Sequence, residues 1–138
     1  MEISAYIQNA AAGQSVRVST AGRSRLLGVP GKPEGRGSAV NGGELLMAAL
    51  ATCYCNDLYR EADRLGIGIS ACEVIATARF DGVGLAATSI TYAARVESQA
   101  PAEEVERLLS ETDRLAEVHS TLRAGCPVER VAWTPLAT

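Results

Sequence analysis

The chain predicts an α+β fold built on antiparallel strands, and three observations carry that prediction. The stretch Asn41 to Gly66 has the length and both end signals of a single long helix. Short runs on either side of it alternate apolar and polar residues as half-buried strands do. After Pro101, apolar residues recur at spacings of three and four, the mark of a second helix. The expected order is three strands, the long helix, two strands, the second helix and a last strand, with the helices packed on the sheet. No repeat or break in composition divides the 138 residues, so one domain over 1–138 is expected.

In the first forty residues Ile3, Ala5 and Ile7 alternate with polar partners, as do Val16 and Val18, and Arg25 to Val29 is a third short run. Gly13 and Ala21-Gly22 supply the turns. Pro30 to Gly43 holds five glycines and two prolines, a loop that delivers the chain to the helix. That helix is predicted over Gly42 to Leu65. Asn41 caps its first turn, Glu44 reaches back as in a capping box, and Gly66 suits the left-handed residue beyond its end. Leu45 to Cys55 carries no charge, so this half is expected to be buried on all sides. Asn56 to Leu65 is amphipathic and expected to meet water.

Ile67 to Phe80 and Ala87 to Glu97 read as a strand pair, with Asp81 to Gly84 as the turn between them. Pro101 opens the second helix, Glu103, Glu104 and Glu106 favour its positive end, and Gly125 stops it. Its apolar stripe runs Val105, Leu108, Leu109, Thr112, Leu115, Ala116, His119, Leu122. Val128 to Trp133 is expected as a final strand, with Pro135 after it.

The totals exclude several classes of function. The central apolar run of about 11 residues is well short of the ~20 that cross a bilayer, and no basic start precedes an apolar stretch. A cytoplasmic protein without membrane insertion is expected. Net charge is −3 and the 13 Lys+Arg form no basic stripe, so nucleic acid is not an expected partner. No dinucleotide, phosphate-loop, nucleophile-elbow or zincin motif is present, and no cofactor is expected.

Four cysteines remain: Cys53, Cys55, Cys72 and Cys126. Without a CxxC pair or an export signal they read as free thiols in a reducing compartment. Cys53 lies in the apolar half of the long helix, where burial alone raises a thiol pKa. Reactivity there requires a nearby cation, with Arg17, Arg23, Arg25 and Arg36 as the candidates. Cys55 is two residues on and about 200° around the axis, so the two cannot be joined within the helix. Cys72 reads as a small core or edge residue, and His119 as a core histidine with its hydrogen bonds satisfied. A metal site from Cys53, Cys55, His119 and Cys126 is opposed by the divergence of the two helical cysteines, and none is expected.

GGELLMAALATCYCNDLYREADRLGI, followed by a strand pair, a second helix and Cys126-Pro127-Val128, resembles the OsmC/Ohr family of thiol-dependent organic hydroperoxide reductases, closest to its OsmC-like branch. The element order agrees over nearly the whole chain, and the specific part runs from Glu44 to Cys53. The resemblance implies an OsmC-like fold in an intertwined homodimer. It implies Cys53 as peroxidatic nucleophile, Cys126 as the thiol that condenses with its sulfenic acid, and an external dithiol as reductant. Leu46 and Leu50 would line an apolar substrate site, with Arg17 and Glu44 as candidate polar partners. The family's activating glutamate has Gly43 in its place here, Ala12-Gly13-Gln14 stands where its Gly-Gly-Arg turn falls, and Leu122 takes the position three residues after His119. The rival expectation is a non-catalytic dimer that binds a small hydrophobic ligand in the same crevice.

Overall fold

The computed structural model describes residues 1–133. It contains three helices and five strands in two antiparallel sheets, the α+β class expected. The strands are β1 (Ile3–Ala10), β2 (Gly13–Thr20), β3 (Arg23–Leu27), β4 (Ile69–Phe80) and β5 (Ala87–Ser98). The helices are α1 (Gly42–Leu65), α2 (Ala102–Leu115) and α3 (Glu117–Ala124). The fold comprises two compact units, Met1–Met47 and Ala48–Thr138.

The first unit is the meander β1-β2-β3 and the loop after it. Thr20 pairs with Arg23 across a two-residue turn in which Ala21 (φ 48) and Gly22 (φ 79) are both left-handed, the turn whose twist suits a hairpin. The Gly-rich loop is held by side chains of the meander. Gln14 Nε2 donates to the carbonyls of Val29 and Pro30, and Asn9 Oδ1 accepts from the Gly37 N–H. Asn41 and Glu44 form the predicted capping box: Asn41 Oδ1 accepts from the Glu44 N–H at 2.9 Å, and Glu44 Oε2 accepts from the Asn41 N–H at 2.7 Å.

In the second unit, the end of α1 closes as its glycine predicts. Gly66 has φ 69, its N–H donates to the Asp63 carbonyl, and the Ile67 N–H donates to that of Ala62. A Cβ at Gly66 would meet nothing within 4 Å, so only backbone strain opposes it. Gly66→Ala should therefore cost about 1–2 kcal/mol in chemical denaturation, with no change in helix packing.

The core gathers Tyr54, Leu58 and Ala62 of α1 with Ile67, Leu108 and Ala116. Inward residues of the sheet, among them Cys72 and Val74 of β4 and Tyr92 and Val96 of β5, pack against it. The outward row holds Glu73 and Arg95, which form an ion pair across the strands.

Three expectations are corrected. Burial along α1 departs from its charge pattern at several positions, although Leu50, Tyr54, Leu58 and Ala62 are buried as expected. Ala48, Ala49 and Thr52 are exposed in the single chain, whereas Asp57 (4% exposed) and Glu61 (3%) are buried with Leu58. Arginines make this tolerable: Arg60 Nη1 lies 2.9 Å from Asp57, and Arg64 Nε lies 2.5 Å from Glu61 and so holds the Glu61 carboxyl below its usual range. The second helix is two helices. Ala116 leaves helical geometry (φ −70, ψ 109) with no proline or glycine to announce it. In the last turn before the break, the Thr112 hydroxyl donates to the Leu108 carbonyl, a bond that loosens a helical ladder. Finally, Val128 to Trp133 is exposed and forms no strand, and Pro135 lies outside the described residues.

Candidate functional site

Cys53 and Asp57 are four residues apart and so share one face of α1. The Cys53 thiol donates to Asp57 Oδ2 at 3.5 Å and lies 3.9 Å from Glu117 Oε2, at the start of α3. The first turn of α3, with the backbone amide of Val118, lies beside the sulfur. Arg60 stands behind the carboxylates, with Nη1 2.9 Å from Asp57 and 3.7 Å from Glu117.

These neighbours pull the thiol in opposite directions. Burial pushes its pKa up, the Val118 N–H pulls it down, and the charges of Asp57 and Glu117 push it up again; the net direction is upward. Asp57 is itself raised by burial, with Arg60 opposing. A raised carboxylate is a stronger proton acceptor, and this one is already the acceptor of the S–H. Alkylation of Cys53 by iodoacetamide should thus be slower near neutral pH than that of an unperturbed cysteine. Its rate should still be climbing above pH 9, and Glu117→Gln should speed it about two-fold at pH 8, since an exposed charge acts through screening solvent.

A second feature adjoins the core. A cavity of about 340 Å³ is walled by Leu50, Ile90, Leu122, Tyr92, His119 and Arg123, together with residues 87–89. His119 is 3% exposed, stacks edge-on against Tyr92 with centroids 4.4 Å apart, and has no hydrogen-bond partner on either ring nitrogen among the described residues. Burial, reinforced by Arg123, lowers its pKa, so it is held neutral. The expected satisfied histidine is therefore buried but unsatisfied. Arg123 donates to Asp113 at 2.8 Å and to the Tyr92 hydroxyl at 3.1 Å. Tyr54 donates to the Leu109 carbonyl at 2.9 Å, and burial with nearby Asp113 and Glu106 pushes it up to about 12.

The sequence-derived candidates fall into separate places. Cys53 is half-buried on α1, and Cys126 is exposed after Gly125, which ends α3 with φ 64; both are free thiols. Leu50 lines the cavity. Leu46 is half-buried in the second turn of α1, Glu44 is engaged in the capping box, and Arg17 is exposed on β2 opposite Tyr6 and Leu26. Cys55 does not join Cys53 but meets Cys72. Among the described residues the metal-type donors that gather are Cys53, Asp57 and Glu117, within 4.8 Å of one another, rather than the set Cys53, Cys55, His119, Cys126. Arg60 meets part of their charge. Sequence reading passed over Asp57, Arg60 and Glu117. The i, i+4 and i, i+3 spacings from Cys53 to Asp57 to Arg60 could have found two of them, whereas Glu117 arrives only through the break at Ala116.

None of the described helices is long and apolar enough to cross a membrane. The sequence matches no curated protein. Among solved structures, an OsmC-like protein from Mycoplasma pneumoniae superposes with TM-score 0.63 at 17% identity, covering 88% of this chain and 86% of that one. An organic hydroperoxide resistance protein OsmC from Legionella pneumophila gives 0.61 at 18%, covering 89% and 90%. An organic hydroperoxide resistance protein from Elizabethkingia anophelis, crystallised with thiocyanate bound, gives 0.60 at 17%, covering 89% of each chain. At such identities the likeness establishes the fold. The family described as OsmC-like protein matches residues 35–130, more than half of the sequence, and the chain belongs to that family.

Proposed function

We propose that this protein is a thiol-dependent peroxidase that reduces organic hydroperoxides, with Cys53 as its nucleophile. The observation that carries the reading is the S–H of Cys53 donating to a buried carboxylate that is itself paired with Arg60. The sulfur attacks the outer peroxide oxygen, and the S–O bond forms as the O–O bond breaks. The thiol proton passes to Asp57 and on to the departing alkoxide, giving an alcohol and a Cys53 sulfenic acid. Arg60 steadies the negative charge on Asp57 during the transfer. Cys126 then attacks the sulfenic sulfur, water leaves, and an external dithiol reduces the resulting disulfide. Apolar Leu46 and Leu50, on the turns of α1 before Cys53, favour organic over hydrogen peroxide.

In this reading the chain acts as one domain of a cytoplasmic homodimer serving the oxidative stress response. Exposed Ala48, Ala49 and Thr52, in an otherwise uncharged stretch of α1, are suited to close approach of a second copy. The direct test treats the reduced protein with one equivalent of cumene hydroperoxide in the presence of a dimedone-type trap. A dimedone adduct confined to Cys53 is expected; peroxide consumption without any adduct or disulfide at Cys53 would refute the assignment.

A second reading is favoured by the orphaned nitrogens of His119. His119 is part of the wall of a cavity that is otherwise largely apolar, the setting for a small hydrophobic ligand that carries one hydrogen-bonding group. Native mass spectrometry of the purified protein separates the two: a retained small molecule, lost in His119→Phe, together with inertness toward peroxide, selects binding over catalysis.

A further inference from the structure

A second pair of thiols lies on a different side of α1. The sulfurs of Cys55 and Cys72 are 3.0 Å apart, one from α1 and the other from β4, and 17 residues separate them in the chain. Both are half-buried and free. Cys53 is turned about 200° away from Cys55, toward Asp57 and Glu117, so the two sites cannot exchange thiols within an intact helix. Cys72 sits on the inward row of β4, opposite Val96 of β5. Tyr59, one turn beyond Cys55 on α1, is near enough to the pair that the Cys72 thiol pushes its hydroxyl pKa up.

Two thiols on separate rigid elements, in contact and unused by the chemistry of Cys53, call for a role. A disulfide bond is about 2.05 Å long, so closure asks for roughly 1 Å of further approach, within reach of small side-chain rotations. We propose that Cys55 and Cys72 are a second redox site, a dithiol that exchanges with small-molecule disulfides and closes into a bridge between α1 and β4. One cysteine thiolate attacks the external disulfide, forming a mixed disulfide and releasing one thiol. The other cysteine attacks the protein sulfur of that mixed disulfide and expels the second thiol. In sum, two protein thiols lose two electrons and two protons to the external disulfide, which leaves as two thiols. The second step is intramolecular between groups already in contact, so the mixed disulfide is short-lived. Contact with the Cys72 thiol and then burial push Cys55 up to about 11, so exchange through Cys55 quickens as the pH rises.

The test uses the full chain carrying Cys53→Ser and Cys126→Ser, incubated with oxidised glutathione at pH 8 and read by intact mass and non-reducing peptide mapping. The expected product has lost two hydrogens, yields a cross-linked peptide joining Cys55 to Cys72, carries no stable glutathione adduct, and reverts with dithiothreitol. Oxidation should raise its melting temperature by about 5 °C or more. Adding Cys72→Ser should convert the product to a persistent single adduct on Cys55. Should that variant fail to fold by circular dichroism, Cys55→Ser with a persistent adduct on Cys72 reads the same step. A lasting glutathione adduct on the protein with both thiols intact overturns the proposal. So do two unmodified thiols under conditions that oxidise the urea-unfolded chain.

Discussion

Cys53→Ser should lower the rate of cumene hydroperoxide reduction by roughly three orders of magnitude or more, to the level of adventitious thiol chemistry. A serine hydroxyl is far less nucleophilic and cannot be oxidised by peroxide, so no route through a sulfenic acid survives. Rapid mixing under single-turnover conditions checks it. The neighbouring carboxylate separates two roles. If Asp57 acts as proton acceptor, Asp57→Asn should slow peroxide reduction by about 10²-fold. The same change removes a negative charge beside the sulfur and so should speed its alkylation by iodoacetamide. A variant in which both rates rise would mean that Asp57 merely repels the thiolate.

Leu58→Ala should destabilise the second unit by about 3–5 kcal/mol, a large fraction of what holds a domain of this size together. Leu58 is fully buried in the cluster that joins α1 to Ile67, Leu108 and Ala116. Urea denaturation gives the difference directly. Leu58→Met, which keeps volume, should cost less than about 1.5 kcal/mol. The contrast between the two separates cavity formation from any general intolerance of the position.

The ends of α1 were legible because they are local. Asn41 with Glu44, and Gly66 with the two carbonyls before it, satisfy helix termini within a few residues and need no partner from elsewhere. The alternation in β4 and β5 was legible for the same reason, since one face meets the core and the other water. Burial of Asp57 and Glu61 was not, because charge signals exposure unless a cation accompanies it. Here Arg60 and Arg64, three residues on in each case, cancel the signal. The contact of Cys55 with Cys72 depends on how α1 lies on the sheet, which no periodicity encodes. His119 was placed correctly on the apolar stripe, yet the empty hydrogen-bonding positions on its ring depend on what surrounds it in three dimensions.

The non-helical geometry at Ala116 has a chemical consequence out of proportion to its methyl side chain. Were the ladder continuous there, the amide of Val118 would be spent on the carbonyl of Arg114, four residues earlier. Interrupting the ladder liberates that amide, and the liberated hydrogen is the group that favours an ionised Cys53. One residue without a functional group thus bears on how acidic a sulfur on another helix can be, because a substitution that straightened the segment would shift both the Val118 amide and the Glu117 carboxylate relative to it.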